Sequence, residues 1–402
     1  MLEKQIHKYA RFLFEGCLAL NEGEKLFITG NKEIEKFVDI VIEEAHKLKI
    51  TDIETLITDS SYQKEIYLTK SYEEIIKDPK MDKTKYNQMA KEGYAFLSLS
   101  SPLPGYLKEV EPSLLASVQK YISESIKEFR EYQDKDLLKW NISAVPNPYW
   151  AKALNLQNEE ELWKYIFEIC LIDEENDPIK LWKEKLAKLK KRAEYLNSLK
   201  IEKLIYKNSL GTNLEIFLPE NYLFQSAEGK NIVNMPTEEV FTSPHFAKTK
   251  GIVYSSKPLE YQGNLIEDFH LEFKNGKVVS YDAKKGKEIL KGILETDEGS
   301  SYLGEVALVD ISSPIARINK IFLNTLIDEN SCCHLALGQS FGECMKDRLQ
   351  KEPEELKKLG LNSSKNHVDF FIGTEDLTIE AILKNGEKKI IMENGNFKEE
   401  NL

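Results

Sequence analysis

The sequence pattern changes near residue 200, and this change limits the folds that the chain can adopt. Before it, strand-like apolar runs alternate with segments whose apolar residues recur every three or four positions. After it, short strand-like runs follow one another, separated by turn signals at Asn264, Asn275-Gly276 and Asn394-Gly395. Alternation is typical of parallel sheets, whereas successive short strands are typical of antiparallel sheets. We therefore predict an α/β N-terminal domain over residues 1–199 and an α+β C-terminal domain, rich in antiparallel strands, over residues 200–402.

A βαβ unit opens the first domain. Its predicted strands are residues 25–30 and 50–57, and the inner face of the helix between them is formed by Ile34, Phe37, Val38, Val41 and Ala45. Further buried strands are predicted over residues 94–100 and 140–146. Because no GxGxxG follows the first strand, we do not interpret this unit as a dinucleotide site.

A long helix closes the first domain and begins at Asp177-Pro178, a cap followed by proline. Its apolar stripe is Trp182, Leu186, Leu189, Ala193 and Leu196. We interpret the basic residues 188–192 as solvated helix surface. Beyond this helix, residues 201–206 and 214–219 predict a hairpin around the turn at 209–213.

Composition excludes several classes of partner. The chain has 402 residues and a formal net charge of −12, which argues against nucleic acids and other polyanions. No apolar run reaches the length of a membrane span, and the N-terminus lacks the apolar core of a signal peptide. The five cysteines show no CxxC spacing. These features predict a reduced, cytoplasmic protein that binds neither nucleic acid nor membrane.

Residues 231–245 (NIVNMPTEEVFTSPH) hold two adjacent carboxylates, Glu238 and Glu239, between Pro236 and Pro244. Each proline fixes its own φ and favours an extended residue before it. The pair therefore lies on a stiff, non-helical segment, where side chains can be held beside a pocket. A solvated acidic turn is the ordinary interpretation of such a pair taken alone.

Further histidines and carboxylates follow in the second domain. Glu305 begins a predicted strand, His334 lies in a short apolar run that we predict to start a helix, and His367 and Asp369 alternate along a predicted strand. In a strand, residues two apart point to the same face. Mixed sets of this kind suit Zn, Co or Mn, and the absence of cysteine fits a catalytic site. Spacing alone leaves open that His334 is a hydrogen-bonded core residue and that Glu305 is a surface carboxylate.

Four segments with these residues make the chain similar to the M29 family of metallo-aminopeptidases. They are NMPTEEVFTSPH, YLGEVALVD, FLNTLIDENSCCHLALG and HVDFFIGTEDLTI, which occur in the family's order and at its spacing. Shorter matches at residues 150–154, 177–182 and 211–214 extend the resemblance over nearly the whole chain.

The resemblance implies a C-terminal domain that carries two divalent metal ions (Zn, Co or Mn) and releases N-terminal residues from peptides. Glu239, Glu305, His334, His367 and Asp369 match the metal ligands, with Glu305 as the bridging carboxylate. Two such ions would generate a hydroxide near neutral pH and polarise the scissile carbonyl. By analogy with other two-metal aminopeptidases, Glu238 is the candidate general base. Peptides with a free N-terminus are the implied substrates, and a homodimer is the implied assembly.

One residue departs from the family pattern. The family commonly has a tyrosine seven residues after the first ligand histidine, and this chain has Phe341 there. Loss of one oxyanion donor typically lowers turnover about a hundred- to a thousandfold. The sequence therefore leaves two further hypotheses: a metal-binding protein of aminopeptidase fold with weak or no turnover, and a two-metal hydrolase for another amide.

Overall fold

The computed structural model describes residues 2–135, 137–226, 231–261, 264–346, 348 and 351–398. The helices, in chain order, are Leu2–Phe12 (α1), Glu35–Lys47 (α2), Ser60–Thr69 (α3), Tyr72–Ile75 (α4), Lys85–Lys91 (α5), Pro112–Ser125 (α6), Lys127–Asp134 (α7), Pro148–Ala153 (α8), Glu159–Ile169 (α9), Pro178–Ser198 (α10), Lys287–Leu294 (α11), Pro314–Ile318 (α12), Thr325–Asp328 (α13) and Pro353–Lys358 (α14).

The strands, in chain order, are Leu26–Asn31 (β1), Ile53–Thr58 (β2), Ala95–Ser100 (β3), Trp140–Ala144 (β4), Ile201–Lys207 (β5), Asn213–Phe217 (β6), Gln225–Ser226 (β7), Asn234–Met235 (β8), Val240–Thr242 (β9), Lys250–Tyr254 (β10), Leu259–Tyr261 (β11), Asn264–Lys274 (β12), Lys277–Lys285 (β13), Leu303–Leu308 (β14), His334–Gly338 (β15), His367–Phe371 (β16), Thr378–Leu383 (β17), Lys388–Glu393 (β18) and Asn396–Phe397 (β19).

The chain forms two compact units. The first comprises Met1–Glu184 and Glu228–Pro236, and the second comprises Lys185–Ala227 and Thr237–Leu402. This division falls within α10, about fifteen residues before the boundary predicted at residue 200, and it returns a short later segment to the first unit. The limits of functional domains stay a prediction.

The first unit is built on a parallel sheet with the strand order β2-β1-β3-β4-β8. The predicted βαβ unit is confirmed, since β1 and β2 pair in parallel and α2 connects them. The apolar face of α2 is buried, which follows from its helical spacing of Phe37, Val38, Val41 and Ala45.

Helix α10 begins as predicted. One carboxylate oxygen of Asp177 accepts the backbone N–H groups of Ile179 and Lys180 at 3.0 and 3.2 Å, which satisfies donors that the first turn leaves without partners. Its predicted stripe, from Trp182 to Leu196, is buried. The interpretation of residues 188–192 as solvated surface is wrong for Arg192, whose side chain is 3% exposed.

Two antiparallel sheets form the second unit. Within the described residues, the larger sheet has the order β11-β12-β10-β6-β5-β17-β18-β19, with β13 paired to β12, and it contains the predicted hairpin of β5 and β6. The smaller sheet has the order β16-β15-β14-β9-β7. The prediction of a mixed helix-and-sheet protein with antiparallel sheets is confirmed. Among the helices described above, none is long and apolar enough to cross a membrane.

Candidate metal centre

One face of the smaller antiparallel sheet gathers four of the predicted site residues. Residues directly opposite each other in neighbouring strands project to the same face. Glu305 on β14 lies opposite Ala336 on β15, which lies opposite Asp369 on β16. His334 and His367 occupy positions two residues from Ala336 and Asp369, so their side chains join the same face. The predicted shared face of His367 and Asp369 is therefore confirmed.

His334 lies at the start of β15, so the prediction that it begins a helix is wrong. Strand β15 lies between β14 and β16 and is buried at every residue. A strand buried on both faces reads as a continuous apolar run, which spacing alone does not distinguish from a buried helix.

Small side chains separate the four site residues. Ala336 lies between Glu305 and Asp369, and Ala307 lies beside His334 on β14. Gly338 lies opposite His367 and has a φ of 102°, a value that side chains other than glycine's rarely adopt. Ala307, Ala336 and Gly338 thus form a lane of small residues beside the polar groups.

Glu239 joins this face from the segment before β9. The segment is neither helix nor strand at residues 237–239, as the two flanking prolines predict. Strand β9 pairs with β14 through Val240 opposite Leu308, so Glu239 enters the sheet beside the strand that carries Glu305. The Glu239 side chain is buried, with one carboxylate oxygen 3.3 Å from His334 Nε2.

The five predicted ligands form two groups that share Glu305. Potential ligand atoms of Glu239, Glu305 and His334 lie within 4.8 Å of one another, as do those of Glu305, His367 and Asp369. In the second group, His367 Nε2 lies 3.1 Å from Glu305 Oε2 and 3.2 Å from Asp369 Oδ1.

The other ring nitrogen of His367 has a backbone partner. Nδ1 lies 2.8 Å from the carbonyl oxygen of Gln339, and in that contact it is the donor. In a neutral imidazole, a donor at Nδ1 leaves a lone pair at Nε2, which here points at two carboxylate oxygens. Three electron-rich atoms turned toward one another favour a cation between them, and an Nδ1–H bonded to a carbonyl is typical of metal-bound histidine.

Histidines are the basic side chains that face the carboxylates of the cluster among the described residues. Among the described residues, no lysine or arginine forms an ion pair with Glu239, Glu305 or Asp369. Glu239 Oε2 and Asp369 Oδ1 are buried and make no hydrogen bond of acceptable geometry. Buried carboxylate oxygens without donors are costly unless a cation binds them, so the donor set fits divalent metal ions.

The electrostatics of the cluster agree with this interpretation. Burial, followed by the negative charges of Glu239 and Asp369, raises the pKa of Glu305 to about 7, although His367 opposes the change. Burial lowers the pKa of His334, but the neighbouring carboxylates outweigh it, and the resulting pKa lies well above the usual value. Neighbouring negative charge contributes to both shifts, and a bound cation would oppose that contribution.

A fourth acidic residue, Glu329, interacts electrostatically with the same cluster. It lies in the 3₁₀ turn Glu329–Ser331, five residues before His334. Burial, and then the charges of Glu239 and Asp369, raise its pKa well above the usual value. Sequence reasoning did not select Glu329, although it lies inside one of the four segments that carried the family resemblance.

Glu238, the predicted general base, belongs to neither group of potential ligands. Its carboxylate contacts Lys185 Nζ, and burial raises its pKa while Lys185 opposes the change. Its backbone N–H donates to Asn330 Oδ1 at 2.6 Å. The role of Glu238 stays a prediction.

Phe341 lies directly beside the cluster. Its ring centroid is 4.8 Å from that of the His367 imidazole and 5.7 Å from that of the Phe241 ring. Its backbone N–H donates to Ser243 Oγ at 2.9 Å, which fixes the segment after β15. The position where the family commonly has a tyrosine is therefore adjacent to a candidate ligand.

Buried imidazoles and carboxylates around a shared carboxylate, on one face of an antiparallel sheet, define a protein built to hold catalytic metal ions. Comparisons with known proteins give the same class. A family model described as thermophilic metalloprotease (M29) matches residues 2–397. The chain belongs to the M29 family of metallo-aminopeptidases, as its four sequence segments predicted.

Relatives match over almost the full chain. The chain is 35% identical to aminopeptidase AmpS of Bacillus subtilis and 34% identical to aminopeptidase 2 of Geobacillus stearothermophilus, with 98% of each chain covered in both cases. Among solved structures, it is similar to wild-type AmpT from Thermus thermophilus, with a TM-score of 0.90 and 30% identity. That match covers 99% of this chain and 100% of AmpT.

Proposed function

We propose that this chain releases N-terminal residues from peptides, using two divalent metal ions held by Glu239, Glu305, His334, His367 and Asp369. The observation that carries the proposal is the sharing of Glu305 by two groups of potential ligands. A carboxylate has two oxygens and can therefore contribute to two neighbouring cations. The relatives named above are aminopeptidases, which supports the same activity.

Each side of the shared carboxylate has its own partners. Glu239 and His334 complete one group, and His367 and Asp369 complete the other. When bound there, two cations would supply Lewis acidity, which polarises a substrate carbonyl and makes water more acidic. The chain's own residues orient this chemistry: the Gln339 carbonyl holds the His367 ring, and the pairing of β14, β15 and β16 fixes the ligand face.

Glu329 adds a further carboxylate to the proposal. It interacts electrostatically with Glu239, Asp369, His334 and Glu305 but belongs to neither ligand group, and we propose it as an additional ligand or as an acceptor of a proton from water. A Glu329→Gln variant separates these roles. Loss of metal identifies a ligand, whereas full metal content with a large loss of turnover identifies a proton acceptor.

Reconstitution of metal-free protein with Zn, Co or Mn tests the function. We expect hydrolysis of aminoacyl p-nitroanilides, with little hydrolysis of the same compounds after N-acetylation. His367→Ala should lose metal and activity, whereas His270→Ala is the matched control because His270 packs on Tyr254 in the larger sheet. Equal hydrolysis of free and acetylated substrates would contradict an aminopeptidase and favour a hydrolase for another amide.

The contact between Phe341 and His367 supports a second candidate function. A phenyl ring at this place offers no hydroxyl to a reacting carbonyl, so the chain could bind metal while turning over weakly. Two bound metal ions together with hydrolysis no faster than that of His367→Ala would favour this second function.

A further inference from the structure

Glu238 and Glu239 are consecutive residues of the segment between β8 and β9, and their side chains have different partners. Glu239 lies 3.3 Å from His334 Nε2, whereas the carboxylate of Glu238 contacts Lys185 Nζ. The predicted base therefore faces away from the groups that share Glu305.

Two contacts hold Glu238 in place. The ion pair with Lys185 is largely buried, with exposures of 18% for the lysine side chain and 7% for the glutamate side chain. On the backbone side, the N–H of Glu238 donates to Asn330 Oδ1 at 2.6 Å, and Asn330 Nδ2 donates to the carbonyl of Leu326 at 3.1 Å. Both the side chain and the peptide group next to Glu239 are thus fixed.

Helix α10, which carries Lys185, also contacts the segment that follows the strand of Glu305. Arg192, two turns after Lys185 on α10, forms an ion pair with Asp310 at 2.5 Å and lies over the Phe397 ring at 4.3 Å. Asp310 also accepts the backbone N–H of Phe397 at 2.7 Å. Asp310 follows β14, the strand of Glu305. Residues seven apart share a helix face, so one face of α10 anchors the segments of Glu239 and Glu305.

We propose that Glu238 is a positioning residue, which with Lys185 fixes Glu239 for metal binding, and that Glu238 is not the proton acceptor. This inference rests on the proposed function, since it concerns a proposed ligand. The charges that face Glu238 are Lys185, Asp310 and Arg192. Neutralising one partner of this buried ion pair weakens the charge compensation of the other, and we expect the segment to move in response. Glu239 would move with it.

The test uses the full chain with cobalt(II) as the probe metal. Lys185→Met and Glu238→Gln should each change the visible absorption spectrum of bound cobalt and weaken cobalt affinity about 10- to 100-fold, as removal of groups that orient ligands typically does. The double variant should bind cobalt no more weakly than the weaker-binding single variant, because both changes break the same ion pair. Lys185→Arg keeps the positive charge and should show the wild-type cobalt spectrum. This result would separate loss of the ion pair in Lys185→Met from loss of the fold. Lys183→Met, at an exposed lysine of the same helix, is the matched control.

A contrary pattern would overturn the inference. If Glu238→Gln kept the spectrum and the affinity while kcat fell about 10²- to 10⁴-fold, and Lys185→Met behaved as wild type, Glu238 would be the general base. Additive losses in the double variant would equally refute a shared role. Wild-type protein that failed to bind cobalt would overturn the proposed metal centre together with this inference, whereas normal wild-type binding and an unchanged Lys185→Met would overturn the inference alone.

Discussion

Two regions of the molecule bring a histidine together with carboxylates, and they differ in how their charge is balanced. In the first unit, His7 of α1 meets Glu43 and Glu44 of α2. There Lys47 Nζ lies 2.7 Å from Glu43 Oε1 and 2.6 Å from Glu44 Oε1. In the second unit, the groups that share Glu305 have no such lysine among the described residues.

The net pKa shifts of buried carboxylates in the two regions have opposite directions. Burial alone would raise the pKa of Glu44, but hydrogen bonds from Lys47 and His7 outweigh it, and the pKa falls below the usual value. Burial and neighbouring carboxylates raise that of Glu305 to about 7. Residue types alone therefore do not define a metal site. A strand framework, and carboxylates that pair with histidines and with no lysine among the described residues, distinguish the second region from the first.

The largest expected effect comes from Glu305→Gln. This change keeps the shape of the side chain but removes the charge shared by both groups, so we expect loss of at least one metal ion and about a thousandfold or greater loss of kcat/KM, since metal catalysis supplies several kcal/mol. Plasma mass spectrometry measures the metal content, and steady-state kinetics measure kcat/KM. Glu44→Gln is the control and should keep full metal content. Two tightly bound ions in Glu305→Gln would rule out the shared carboxylate.

Phe341→Tyr tests what the second region needs besides metal. The added hydroxyl should stabilise charge on the reacting carbonyl oxygen, and we expect kcat to rise by up to about a hundred- to a thousandfold with little change in KM. Metal content should not change. Steady-state kinetics on aminoacyl p-nitroanilides measure the effect, with Phe241→Tyr as the control ring. If turnover stayed at the wild-type value, another donor would already fill this role.

Ala336→Leu tests the lane of small residues between Glu305 and Asp369. A larger side chain should occupy the space where the ligand atoms converge, and overpacking of about 1–3 kcal/mol corresponds to about 5- to 150-fold weaker zinc binding. Competition with a chromogenic chelator measures the affinity. Ala381→Leu, in the buried strand β17 of the larger sheet, should lower the Tm while leaving zinc affinity unchanged. Equal zinc affinity in Ala336→Leu and wild type would mean that the metal ions do not lie over this lane.

The smallest effect is expected from Lys47→Met, which removes the cation from the first region. Glu43 is exposed, and ordering an exposed side chain around a metal ion costs conformational entropy. We therefore expect only weak zinc binding at His7, Glu43 and Glu44, together with a small change in Tm. Isothermal titration of a His367→Ala, Lys47→Met double variant isolates this site. Tight zinc binding there would contradict the role given to the strand framework, because Lys47 alone would then account for the difference between the two regions.

Local patterns predicted much of this molecule. The alternation of His367 and Asp369 was sufficient to place both side chains on one face, because a strand has a side-chain period of two. The two prolines around Glu238 and Glu239 correctly excluded a helix. The parallel pairing of β1 with β2 followed from apolar runs on either side of a helical stripe.

Features that depend on distant partners were not predictable in this way. Arg192 has the sequence pattern of a solvated helix residue, and its partners include Asp310, 118 residues along the chain. Lys185 has the same kind of partner in Glu238, 53 residues away. Glu329 lies in a short turn without periodicity, so its approach to the cluster depends on how that turn packs. Tertiary contacts decide such cases.

Strand β8 determines when the parallel sheet can be completed during synthesis of the chain. It supplies the last strand of the parallel sheet through pairing with Ile142 and Ser143 of β4, and Asn141 Nδ2 donates to the carbonyl of Ile232 at 2.8 Å beside it. Strands β5, β6 and β7 of the other unit are synthesised first. N-terminal domains usually fold while the rest of the chain is still being made. One edge of β4 therefore stays unpaired with β8 until β5, β6 and β7 have been translated. A chain that stops at residue 199 lacks β8, so that edge is open to pairing with another molecule.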